Sequence, residues 1–214
     1  MLEDKSKTVE RLILFTRYPM PGVTKTRLIP ALGKEGAADL QRRMTEAVAT
    51  QAEIVGVTRQ LHFEICYDGG DPEQVKQWLA AVAPSGRCRP QEGDDLGQRM
   101  QLAFAQAFAD GSQRVVLFGC DCPAMSSGIM NQAFEALHDH DMVIGPAVDG
   151  GYYLLGLAAP QPFLFNDMEW GDEAVMARTL ERAEAAGLRF FLLESLVDVD
   201  RPEDLSHFDH HSYP

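Results

Sequence analysis

The sequence lacks several things, and each absence narrows the field. No apolar run approaches the roughly 18 residues of a membrane-spanning helix. The first residues, Met1 to Lys7, lack the apolar stretch of a secretory signal. Cations are scarce, with 19 Lys+Arg against 32 Asp+Glu and a net charge of −13. So acidic a balance argues against nucleic acid, whose binders need a basic face to displace counterions, and equally against an anionic membrane surface. The four cysteines, Cys66, Cys88, Cys120 and Cys122, form no C-x-x-C pair. That argues against a zinc ribbon or a thioredoxin-like site. Cys120 and Cys122, which flank Asp121, could suggest a thiolate metal site but read more simply as half-buried thiols. The expectation is a cytoplasmic protein that binds small molecules and neither nucleic acid nor membrane; its oligomeric state stays open.

At 214 residues with 45% hydrophobic content, the chain fits one domain over 1–214, with 1–9 and 207–214 as loose tails. Apolar runs at 11–16, 61–67, 113–118, 141–146, 152–157 and 188–193 read as strands. Between them, helical spacing recurs. In 97–109 the stripe is Met100, Ala103, Phe104, Ala107 and Phe108. In 33–56 it runs through Ala37, Leu40, Met44, Ala47, Val48 and Val55. In 126–138 it includes Ile129, Met130, Ala133 and Phe134, with Ser126 or Ser127 as N-cap. A further helix is expected over 172–186, stopping at Gly187. Continuously apolar strands such as Val115 to Phe118 belong in a parallel sheet covered on both faces. The fold class is therefore α/β, a three-layer α/β/α sandwich. Only five residues separate strands 141–146 and 152–157, too few for a crossover helix, so the sheet should be mixed and mostly parallel, with an antiparallel member.

Four segments carry chemistry, and each falls at a strand end. The first follows strand 11–16. There Pro21, Gly22 and Thr26 accompany Arg17, Lys25 and Arg27, cations concentrated in an otherwise acidic chain. Such a loop suits a phosphate at the carboxyl end of a strand, although it lacks the G-x-x-x-x-G-K-[ST] signature and could also be a solvated basic loop. The second is Gly119-Cys120-Asp121-Cys122-Pro123, whose aspartate could ligate Mg²⁺ or Mn²⁺ or cap the next helix. The third is Asp149-Gly150-Gly151-Tyr152, which reads both as a hairpin turn and as a close approach to a ligand's hydroxyls. The fourth is Asp198-Val199-Asp200-Arg201-Pro202, whose alternating carboxylates share one side of an extended chain. Either could complete a metal site with Asp121, while Glu203 and Asp204 read as first-turn acids. Arg99 at a helix start could reach phosphate, and Trp170 could wall a substrate pocket or belong to the core. His207, His210 and His211 carry no functional argument.

Taken in order, these segments resemble one family. They are Arg17 to Gly22 with Lys25 to Leu28, Leu96 to Met100, Gly119 to Pro123, Gly145-Pro146 with Asp149 to Leu154, Trp170, and Asp198 to Asp200 with Pro202 to Leu205. The chain is similar to the DUF2064, or arsenosugar-biosynthesis-associated, GT-A-type glycosyltransferases over nearly its whole length. The resemblance implies a nucleotide-diphospho-sugar transferase fold with the nucleotide over the early strands. It implies Asp121 as a metal ligand and Asp200 as the second. It implies a wider kinship with phospholactate and molybdenum-cofactor guanylyltransferases, although the Gly-Gly start of their first loop is absent here. The expected activity is metal-dependent transfer from a nucleotide-activated donor, most simply a nucleoside-diphosphate sugar, to a small-molecule acceptor. Arg17, Lys25, Arg27 and Arg99 would hold phosphate. Asp149 would serve as base or sugar contact, beside Gly150, Gly151, Tyr152 and Trp170. The alternatives are nucleotidyl transfer from a nucleoside triphosphate, with release of pyrophosphate, and a non-catalytic nucleotide-binding protein.

Overall fold

A computed structural model describes residues 9–207. The elements are β1 (Glu10–Arg17), α1 (Ile29–Arg59), β2 (His62–Asp68), α2 (Pro72–Leu79), β3 (Arg87–Pro90), α3 (Leu96–Ala109) and β4 (Arg114–Phe118). They continue as α4 (Ser127–Ala136), β5 (Met142–Pro146), β6 (Tyr152–Leu157), α5 (Val175–Ala185) and β7 (Phe190–Leu192). The tails expected from the sequence lie outside the described residues apart from Val9 and His207, and with them His210 and His211.

The seven strands form one sheet in the order β3-β2-β1-β4-β6-β5-β7. All neighbours pair in parallel except β6, which runs antiparallel to both β4 and β5. This is the mixed, mostly parallel sheet that the short gap between 146 and 152 required. Strand alternation sends Leu12, Leu14, Val116 and Phe118 into a core shared with α1, α2 and α4. Ile13, Phe15, Val115 and Leu117 enter a second core with α3 and α5. The result is three layers, α/β/α.

Local signals explain most element ends. The Asp71, Asp95 and Ser126 side chains each accept from a backbone N–H in the first turn of α2, α3 and α4, as N-caps do. Asp121 is therefore not the cap of α4. Gly187, at φ +70°, ends α5 while its own N–H and that of Leu188 close the last turn on Glu184 and Ala183. Gly33, at φ +71°, kinks α1 near its start, so the regular helix begins about where the apolar stripe begins. Two elements were not expected from the sequence, α2 and the edge strand β3. Two others are shorter than expected: α5 starts at Val175, and β7 spans Phe190–Leu192.

Candidate functional site

The site is built on the carboxyl ends of β1, β2 and β4. Beyond β1 the chain turns through Gly22, at φ +80°, and reaches Lys25, a non-glycine residue in the left-handed region at φ +49°. The Lys25 side chain is buried. Its Nζ lies 2.7 Å from Asp121 Oδ1 and donates to the Val199 carbonyl at 2.6 Å. The Val199 N–H in turn donates to the Asp121 carbonyl at 2.9 Å. Burial is the largest influence and works against the ammonium charge, but the Asp121 carboxylate, Cys120 and Asp200 together outweigh it, and the Lys25 pKa is raised above its ordinary value. Three distant stretches therefore meet at one charged point.

The other cations are divided around it. Arg27 pairs with the Asp200 carboxylate. Arg17 and Arg99 converge on Asp68 at the end of β2, at 3.7 and 3.1 Å. Arg99 is further fixed by donating from Nε to the Gly93 carbonyl at 3.0 Å. Lys25 and these three arginines, with Thr26, Gly119 and Asp121, line a single cavity of about 770 Å³. That volume lies within the range of ligand pockets, about 300–1,000 Å³. Pro21 and Gly22 do not line it. Gly22 instead turns the loop against the side chain of Lys34.

The opposite wall comes from the β5–β6 turn and the segment before α5. Asp149 Oδ1 accepts from the Gly151 N–H at 2.9 Å, closing the turn. The turn and an approach to the cavity coexist, because Asp149, Gly151 and Tyr152 all line the cavity. Gly150 stands behind that wall: a Cβ there would lie 2.1 Å from the Glu173 carbonyl oxygen. Trp170 lines the cavity, meets Tyr152 edge-on at 6.4 Å and stacks on Phe165 at 6.5 Å. It rests on Gly97 at the start of α3.

The acidic residues differ in their partners. Asp200 is engaged by Arg27, while Asp204 caps the chain by accepting from the Asp200 and Arg201 N–H groups. Asp198 has a raised pKa, because burial disfavours its charge and the Asp149 carboxylate adds to this, followed by Asp204 and Asp121. Uncompensated negative charge of this kind suits a cation. Among the described residues no three His, Cys, Asp or Glu side chains group as a preformed metal cage. The donor set fits instead an open site of one or two carboxylates that substrate phosphates complete, the usual arrangement for Mg²⁺.

Cys66, Cys120 and Cys122 are buried free thiols, and Cys88 is half-buried. No helix among the described residues is long and apolar enough to cross a membrane. Sequence reasoning missed Asp68, Gln91 and a polar cluster of Thr16, Gln41, Thr45 and Cys120 beneath the cavity. A signal for the cluster did exist: Gln41 and Thr45 interrupt the buried stripe of α1 with polar side chains.

Residues 51–172 match the family described as an uncharacterised protein conserved in bacteria, DUF2064. A protein from Desulfovibrio desulfuricans G20, provisionally assigned as a nucleotide-diphospho-sugar transferase, is 35% identical with a TM-score of 0.78. The match covers 91% of this chain and 84% of that one. The inositol-1-phosphate CTP transferase from T. maritima shares the fold at 10% identity and a TM-score of 0.58, over 96% of this chain and 93% of its own. A CMP:2-keto-3-deoxy-manno-octonic acid synthetase, solved with CTP, shares it at 14% and 0.57, over 94% and 96%. No curated protein matches the chain.

Proposed function

This chain belongs to the DUF2064 family and has a nucleotide-diphospho-sugar transferase fold, and on that premise we propose that it moves a glycosyl group from a nucleoside-diphosphate sugar to a small-molecule acceptor. The observation that carries this reading is the meeting of Lys25, Asp121 and Val199 beside a cavity that Lys25, Asp121 and Arg27 line. Lys25 and Arg27 bind the diphosphate there, and Arg17 and Arg99 extend the cationic lining toward the end of β2. Negative charge grows on the departing nucleoside diphosphate as the glycosidic bond breaks. Fixed cations aimed at that charge stabilise the transition state more than the ground state. Asp121 together with Asp198, or with Asp200 when Arg27 turns to phosphate, would hold a Mg²⁺ or Mn²⁺ ion, which when bound supplies further positive charge against the diphosphate. Asp149 takes the proton of the acceptor hydroxyl, and Trp170 and Tyr152 wall the sugar. The turn, closed by the Gly151 N–H on Asp149 and with no room for a side chain at Gly150, holds Asp149 in place.

The test is product analysis of the purified protein with a panel of nucleoside-diphosphate sugars and nucleoside triphosphates, with and without Mn²⁺. Release of nucleoside diphosphate from a sugar donor is expected. Pyrophosphate released from a triphosphate would replace this reading with nucleotidyl transfer. Binding without turnover across the panel would make the protein a nucleotide sensor.

A further inference from the structure

The cavity holds two glutamines, and the fold uses them differently. Gln91 is committed at both ends. Its Nε2 donates to the carbonyls of Thr16 and Cys66 at 3.2 and 3.0 Å, and its Oε1 faces the Arg99 guanidinium at 3.4 Å. Gln41, on α1, is only 4% exposed and lines the cavity between the ends of β1 and β4. Its Nε2 lies 3.2 Å from Thr45 Oγ1, 3.2 Å from Cys120 Sγ and 3.4 Å from Thr16 Oγ1. Those groups are themselves joined. Thr16 and Thr45 hydroxyls are 2.7 Å apart, and Cys120 Sγ is 3.6 Å from both Thr16 Oγ1 and Asp121 Oδ1.

A side-chain amide nitrogen has two hydrogens, and this cluster saturates them. The amide is planar, so its oxygen faces away from the cluster. Gln41 Oε1 has no partner among the described residues. It is also not one of the side-chain atoms sealed from solvent without a partner, which are Arg11 Nε and Ser112 Oγ. It is therefore an acceptor that opens on the cavity, held in place by a buried polar rack within an otherwise apolar layer.

We infer that Gln41 reads the nucleoside half of the donor, its Oε1 accepting a hydrogen bond from a ribose hydroxyl or a base N–H. The inference rests on the proposed binding of a nucleotide at this site. An amide oxygen offers only lone pairs, so it repels phosphate oxygens and selects a group that carries a hydrogen. A site built around such an acceptor rejects the analogue that lacks the hydrogen, because the oxygen is then left unmet.

The experiment is calorimetric binding to the full chain. Ligands are inorganic pyrophosphate, the diphosphates of the four common ribonucleosides, and the 2′- and 3′-deoxy forms of the tightest. Wild type and Gln41→Met are compared, with melting curves confirming that both fold. Wild type should discriminate at one position by about tenfold, the scale of a single good hydrogen bond. Gln41→Met should level that difference and leave pyrophosphate affinity within about twofold. Loss at the deoxy step identifies a ribose hydroxyl, and loss across the bases identifies a base N–H. Gln41→Glu keeps an acceptor oxygen in place and should retain the discrimination, while Gln41→Leu, which lacks one, should level it and covers the case of an unfolded methionine variant. Undiminished discrimination in Gln41→Met, with pyrophosphate binding intact, overturns the assignment of Gln41 alone. Wild-type protein that binds neither pyrophosphate nor any nucleotide overturns the functional reading and Gln41 with it.

Discussion

Trp170 sits in a notch that exists only because residue 97 is glycine: a Cβ on Gly97 would fall 2.2 Å from Trp170 Nε1 and 2.5 Å from Cε2. Gly97→Ala must therefore displace the indole. The helix itself should accept alanine, which is the better helix former by about 1 kcal/mol. The expected outcome is a changed tryptophan emission spectrum and a several-fold higher KM for the sugar donor, with pyrophosphate affinity unchanged. An unaltered spectrum would mean that Trp170 does not occupy the notch in solution.

Asp149 has two jobs in this reading, closing its turn and receiving a proton. Asp149→Asn separates them, since an amide oxygen can still accept from the Gly151 N–H. Turnover should fall by about 10²–10⁴-fold, the usual weight of general base catalysis. Nucleotide affinity should be nearly unchanged. Full turnover in the asparagine variant would remove Asp149 from the chemistry.

The Lys25 pair sets an alkaline limit. Its pKa is raised above 10.5, so its ion pair is fully formed at neutral pH and is lost only as pH climbs through that raised value. In Asp121→Asn the main carboxylate that helps to offset burial is gone. The ammonium should then lose its proton at lower pH. Melting temperature against pH, from 7 to 11, should show the variant declining before wild type; parallel curves would deny the coupling.

Asp198 works in the other direction. Its pKa is raised in the folded state, so its ionisation costs stability once pH exceeds the ordinary carboxylate value of 3.8. Asp198→Asn should raise the melting temperature at pH 7 and leave it unchanged near pH 3. The same variant should weaken any stabilisation by Mn²⁺ added with a nucleoside diphosphate. For wild type, a ligand at 100 times its Kd adds about 2.7 kcal/mol, an easily measured shift. Equal melting temperatures at pH 7 would show that the carboxylates do not oppose one another.

The parts of the molecule that announce themselves in the sequence are those with local causes. The apolar run of β4, the capping residues Asp95 and Ser126, and the stop at Gly187 act within a few residues. The reversal at β6 was legible because no crossover fits in the gap that precedes it. Strand β3, with the sequence Arg-Cys-Arg-Pro and no fully buried residue, becomes a strand only by pairing with β2. Helix α2 buries just Val75 and Leu79, too few to mark a stripe. Within the site, the cationic loop and the three acidic segments were visible, but their pairing was not. The inward turn of Lys25 depends on Asp121 and Val199, and Asp200 is drawn to Arg27. Such choices are made by contacts far apart in sequence, which no local pattern encodes.

Residues 198–200 are threaded into the cleft from beyond the final strand, and Asp121, Lys25 and Arg27 all fasten to them. Every strand of the sheet precedes that stretch in the chain. The cleft thus takes its last charged wall from a segment outside the sheet, so substitutions there would reshape the site while leaving the strand order intact.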